Sequence, residues 1–185
     1  ETLFETYPFS VEKYGHAQFG WGGGMEHTTV SFMGSFGREL IAHELGHQWF
    51  GDKITCGSWN DIWLNEGFAT YLSGLVVENL DGANSFRTWK SGLINNITSQ
   101  TSGSVYVPES EITNVNRIFS SRLSYNKGAM VVHMLRYKLG DTHFFQGIKN
   151  YLADNNLAFG YADTADLQYH LETVSGLSLT DFFND

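Results

Sequence analysis

The chain has 185 residues, 42% of them hydrophobic and 17% charged, a balance that supports one folded domain with its own core and argues against disorder. A formal net charge of −9 at pH 7 would repel a phosphate backbone, which argues against nucleic acid as a partner. The lone cysteine, Cys56, excludes a disulfide framework, and no apolar run approaches the ~20 residues of a membrane span.

The sequence predicts α+β architecture, mostly helical, in a single domain over residues 1–185. "ETLFETY" reads as a helix tail stopped near Pro8. "HAQFGW" and "TTVSFM" read as two short strands joined by the turn "GGGMEH", because β-branched and aromatic residues flank a glycine cluster. From about Gly37 to Phe50 the pattern turns helical, and Gly51 fits the position after the helix end. "DKITCGSW" is a connector with room for a short strand. A second helix runs from about Asp61 to Glu78, since Leu64, Phe68, Leu72 and Leu75 recur at helical spacing; Asn60 or Asp61 can cap it. "ANSFRTWKSGLINNI" continues helical, and Ser99 to Glu111 is a loop. Further helices run from about Tyr125 to Leu139, from after Asp141, from Thr164 to before Gly176, and begin again in "SLTDFFND". The Asn96-Ile97-Thr98 sequon is a triplet common by chance.

The informative stretch is "HELGHQWFG", His43 to Gly51. On a helix, positions i and i+4 share a face, so His43 and His47 can aim two imidazole nitrogens at one point. A zinc ion needs such nitrogens at ~2.0–2.1 Å. Glu44 lies about 100° further round, poorly placed as a ligand and well placed to reach a water on the metal. Gly46 costs ~1 kcal/mol relative to alanine in a helix and predicts close approach of another backbone, with a strand the expected neighbour. A hydrolytic zinc site needs a third protein ligand and an open position, and Glu66, in "WLNEGFATY", is the candidate. Asn65 and Thr70 are candidates to support the ligands from behind.

The three pieces together, "HELGHQWFG", eighteen intervening residues, then "WLNEGFATY", resemble the gluzincin metallopeptidases, and more narrowly the aminopeptidase N family. "GGMEH", Gly23 to His27, is similar to that family's Gly-x-Met-Glu-Asn exopeptidase motif, and "SYNKGAMVVHML" from Ser124 is similar to its catalytic-tyrosine segment. The resemblance implies a thermolysin-like zincin catalytic domain with a short β-hairpin or edge-strand region followed by helices. It implies one zinc ion on His43, His47 and Glu66, with Glu44 as general base and Tyr125 as donor to the tetrahedral oxyanion. It assigns Glu26 to the substrate's terminal ammonium, with Gly23 and Gly24 letting the substrate backbone lie close. His27 departs from the family's asparagine and alters the amine pocket. The family's flanking domains, an N-terminal β-rich one and a C-terminal helical one, are absent, and the chain, which begins at Glu1, reads as an excised fragment.

The implied activity is a zinc aminopeptidase acting on peptides with a free N-terminus. Two alternatives stand beside it: a zinc endopeptidase or other small-substrate hydrolase of the same fold, such as one acting on an epoxide, and a catalytically weak peptide-binding or zinc-containing scaffold. His16, His133, His143 and His170 lack ligand-like spacing and read as structural or surface residues, and Cys56 reads as a small buried hydrophobe.

Overall fold

Leu64, Phe68, Leu72 and Leu75 are all buried, and the face they form is the spine of the molecule. It belongs to α2, Trp63–Ile97, interrupted at Gly82. α1, Arg38–Gly46, crosses this helix on one side, and α4, Gly128–Ala153, packs along the other. α5, Thr164–Ser175, packs on α4, while two short helices, α3 (Val115–Ile118) and α6 (Thr180–Asn184), complete the set. The core between them is aliphatic and aromatic, including Phe50, Trp63, Phe68, Tyr71, Leu135, Phe144 and Ile148. This computed structural model describes residues 3–184.

Five short strands complete the fold. β1 (Gly15–Gln18), β2 (Gly24–Met25) and β3 (Val30–Met33) form one sheet in the order β1-β3-β2, with β1 parallel and β2 antiparallel to β3. β4 (Ile54–Cys56) pairs in parallel with β5 (Gly160–Ala162), more than a hundred residues away. α+β, mostly helical, describes the result.

Several sequence expectations need correction. The two strands flanking the glycine cluster are not a hairpin: they run parallel, and the expected turn between them contributes β2, which slots in on the far side of β3. Leu3–Tyr7 form no helix, and Glu1 and Thr2 of that expected tail lie outside the described residues. Neither Asn60 nor Asp61 caps α2, whose N-cap is Ile62. Asp61 instead accepts from the Thr164 amide and hydroxyl at the start of α5, and Asn60 donates to the Val107 carbonyl. The backbone close to Gly46 is that of α2, not a strand: a side chain there would press on Ala69 Cα and Leu72. The helix from Asp163 onward matches expectation, with an Asp163–Asp166 capping box and a left-handed Gly176.

Candidate metal and peptide site

α1 ends at Gly46 with His47 as its C-cap, so the last helical turn carries both histidines. His43 Nε2 and His47 Nε2 lie 3.0 Å apart. His47 is buried, and its Nδ1 donates to the Phe50 carbonyl 3.0 Å away, which commits that nitrogen and leaves Nε2 for a ligand. The chain reverses here through Gly51, at φ 145, where an added Cβ would crowd His47 carbonyl O at 3.2 Å and Nδ1 at 3.3 Å. Behind the other ring, Thr70 Oγ1 lies 3.4 Å from His43 Nδ1, as expected of a supporting group. Asn65 serves β4 instead, accepting from the Cys56 amide and donating to the Thr55 hydroxyl.

The first turn of α2 delivers Glu66. Its Oε2 lies 3.4 Å from His43 Nε2 and 3.3 Å from His47 Nε2 and is a buried oxygen with no hydrogen-bond partner. Two ring nitrogens and one carboxylate oxygen thus face a common point. Tetrahedral ligands at ~2.0–2.1 Å from zinc sit about 3.3 Å from one another, so the donor set and its spacing fit zinc. Burial opposes ionisation of Glu66, but the two imidazoles outweigh it and pull the carboxyl down to about 2. Burial likewise opposes charge on His47, but the Glu66 carboxylate overrides it and lifts the ring to about 10. At His43 burial wins, and the pKa falls below the usual histidine range.

Glu44 points to the other side of the same cavity. It is buried, and its Oε2 has no partner. Burial pushes its carboxyl up to about 7, with His47 pulling the other way and Glu26 adding to the rise. β2 passes directly over it: a side chain at Gly24 would run into the Glu44 carboxylate. Glu26 follows β2 immediately, and one donor atom each from Glu26, Glu44 and His47 lie within 4.8 Å of one another.

Tyr125 arrives on a π-helical turn, Ser121–Lys127, that leads into α4. Its ring stacks on His43, with centroids 5.8 Å apart and planes at 12°. Burial, then the Glu66 charge, hold its phenol protonated well above the usual tyrosine range. The approach is close because Gly67 and Gly128 touch backbone to backbone: a Cβ on Gly67 would lie 2.8 Å from Gly128 carbonyl C.

Gly23, Gly24, Glu26, His43, Glu44, His47, Glu66 and Tyr125 all line one cavity of about 390 Å³. Every site residue expected from the sequence is in that wall. A second cavity of about 690 Å³ shares Gly24, Glu26, Glu66 and Tyr125 and continues toward Trp59 and Phe119. A larger apolar cavity, about 860 Å³ between α2, α4 and α5, has no carboxylate or imidazole in its lining. His27 lies edge-on to Phe32, centroids 4.8 Å apart. Cys56 is half-buried, and burial raises its thiol to about 11. Gln48 looks in the sequence like a polar filler beside His47 but is fully buried; a glutamine set between a metal-motif histidine and the aromatic pair Trp49-Phe50 is the one signal the sequence offered.

The family model described as the peptidase family M1 domain matches residues 27–185. The chain belongs to peptidase family M1. It is 33% identical over 153 residues to the alanine/arginine aminopeptidase of Saccharomyces cerevisiae, covering 79% of this chain and 17% of that protein. It is 36% identical over 141 residues to the tricorn protease-interacting factor F2 of Thermoplasma acidophilum, covering 74% and 18%. Among solved structures, an M1 zinc metallopeptidase from Deinococcus radiodurans superposes with a TM-score of 0.76 at 29% identity, covering 88% of this chain and 36% of that one. The native leukotriene A4 hydrolase of Saccharomyces cerevisiae gives 0.76 at 26% identity, covering 94% and 30%. The chain spans less than a fifth of the length of the curated relatives named.

Proposed function

We propose that this chain is a thermolysin-like catalytic unit of a zinc aminopeptidase, releasing the first residue of peptides that carry a free N-terminus. One observation carries the reading: three zinc-type donor atoms 3.0–3.4 Å apart share a cavity wall with two further acids, Glu26 and Glu44, and with the Tyr125 phenol. His43, His47 and Glu66 would hold one Zn²⁺. When bound, the ion polarises the scissile carbonyl and acidifies the attacking water.

The chain's own residues supply the rest. Glu44, not needed as a ligand, accepts the proton of the attacking water and passes it to the departing amine. Its elevated pKa places proton uptake and release near neutrality. Tyr125 stays protonated and donates to the oxyanion. Glu26 receives the terminal ammonium in a charge-assisted contact, so the bond next to the terminus is the one placed between Glu44 and Tyr125. β2 is an edge strand of its sheet, and Gly23 and Gly24 leave room for an extended substrate backbone along it. The adjoining 690 Å³ cavity offers space for substrate side chains. The similar Deinococcus radiodurans M1 zinc metallopeptidase, as a mutant, binds a Tyr-Ser-Ala substrate, which supports peptides as the class of substrate. The longer relatives leave room for flanking domains that would finish the substrate cavity.

The test compares one peptide with free and N-acetylated termini on the zinc-loaded protein. The free form is hydrolysed and the blocked form is not, and Glu26→Ala raises KM for the free form. Equal cleavage of the two forms refutes the aminopeptidase reading in favour of an endopeptidase. No cleavage of either, with zinc bound, leaves a peptide-binding scaffold.

A further inference from the structure

Gln48 directly follows the second histidine and is fully buried. A glutamine amide offers two acceptor lone pairs and two donor hydrogens, and here all four are used. Oε1 accepts from the Thr29 amide at 2.9 Å and from the Tyr7 hydroxyl at 3.1 Å. Nε2 donates to the Glu26 carbonyl at 3.2 Å and to Asp52 Oδ2 at 2.7 Å. Two of these bonds grip the two ends of one short turn, Glu26 to Thr29, that links β2 to β3.

That turn is strained. Thr29 has φ 65, the left-handed region that a β-branched residue avoids. Such a conformation persists only where its surroundings impose it. The Val30 amide donates to the His27 carbonyl, and the Gly15 amide donates to the Thr29 carbonyl, yet the Thr29 amide itself is satisfied by Gln48 alone among the described hydrogen bonds. The first residue of this turn is Glu26.

We infer that Gln48 is a positioning residue: its amide clamps the strained Glu26–Thr29 turn to the metal-bearing segment and thereby fixes where the Glu26 carboxylate stands relative to the metal ligands. The role follows from adjacency. Gln48 is one residue from His47, so the amine anchor and the metal end are registered through a single side chain rather than through the length of two strands. The inference rests on the assignment of Glu26 to the substrate ammonium. It extends that assignment to how discrimination for a free terminus is held in place.

The test uses Gln48→Met, which keeps side-chain length and removes both donors and the acceptor. In the metal-free protein, hydrogen exchange at the Thr29 amide rises about tenfold or more relative to amides within α1. With zinc bound, two hydroxamates are compared by calorimetry: leucine hydroxamate, which has an ammonium, and acetohydroxamate, which has none. The preference for the first falls about tenfold in Gln48→Met, because the anchor is no longer held, while acetohydroxamate binds as before. Adding Thr29→Gly, which removes the strain, restores part of the preference. Should Gln48→Met fail to fold, Gln48→Asn, one methylene too short to span both ends of the turn, shows the same direction with smaller size. Unchanged Thr29 exchange, or equal weakening of both hydroxamates, overturns the inference. A wild-type protein without preference between the two hydroxamates overturns the Glu26 assignment and this inference with it.

Discussion

Two acids in the site differ by environment rather than by chemistry. Glu66 is flanked by two imidazoles and stays ionised, whereas burial under β2 pushes the Glu44 carboxyl up to about 7. This divergence is the arrangement expected when one carboxylate holds a cation and the other moves protons. Glu44→Gln removes the proposed base and keeps the shape. It is expected to lower kcat by roughly 10²–10⁴ while zinc content, measured by atomic absorption, stays at one ion per chain. A loss of zinc together with activity contradicts the split in roles. Tyr125→Phe deletes the proposed oxyanion donor, for which the expected cost in kcat is about 10²–10³. Unaltered kcat in steady-state assays removes Tyr125 from the reaction. The histidine pair is legible in the sequence because its geometry is local, four residues on one helix. Tyr125 is not, since nothing within its own segment says that it will lie over His43; only the resemblance selects it from 9 tyrosines.

The helices α2 and α4 bring Glu66 and Tyr125 together, and the contact that permits this is Gly67 against Gly128. A methyl at either position meets backbone, which cannot swing aside. Gly67→Ala is expected to destabilise the fold by about 1–3 kcal/mol through overpacking, with activity falling further than stability as Tyr125 is displaced. Chemical denaturation beside kcat measures both; a neutral Gly67→Ala contradicts the close-contact account. The same interface carries His133, whose Nε2 accepts from Lys90 at 3.0 Å and whose Nδ1 faces the Tyr71 hydroxyl at 3.3 Å. Burial, then the Lys90 and Arg136 charges, lower its pKa to about 4. An unfolded histidine titrates near 6.5. Between about pH 6.5 and 4 the unfolded chain therefore binds more protons, and stability contributed by neutral His133 is complete above that window and lost as pH falls through it. The ring is only half-buried, so solvent screening keeps the effect small, on the order of a few degrees in Tm. His133→Gln flattens the dependence of Tm on pH over this window; an unchanged slope refutes the assignment. These interfaces also mark the limit of reading by periodicity. α1, α2, α4 and α5 were visible because their apolar residues recur with the helical period. β5 was not, being three residues long with its partner a hundred residues upstream. The parallel β1–β3 pairing was hidden because no local signal says that the glycine cluster will supply β2 on the far side of β3 and leave the two flanks to pair directly.

At the scale of the molecule, the fold holds two helices and one strand edge in register around a 390 Å³ cavity. Half of this register, the ligand helices, follows from a short motif. The other half, β2 over Glu44 and the turn pinned by Gln48, exists only through long-range pairing. An ion bound solely by the native arrangement stabilises it by mass action, about 2.7 kcal/mol at a hundredfold excess over Kd, or roughly 5–10 °C in Tm for a chain of this size. Removing zinc with a chelator lowers Tm by that amount and restoring it reverses the loss; a Tm indifferent to zinc contradicts a preformed site. The most direct measurement is X-ray absorption at the zinc edge on the zinc-reconstituted chain, with Glu66→Gln and His43→Ala alongside. The account predicts one ion per chain in a four-coordinate shell of two imidazole nitrogens and two oxygens at about 2.0–2.1 Å, weakened in both variants. No stoichiometric zinc, or a shell that both substitutions leave intact, contradicts it.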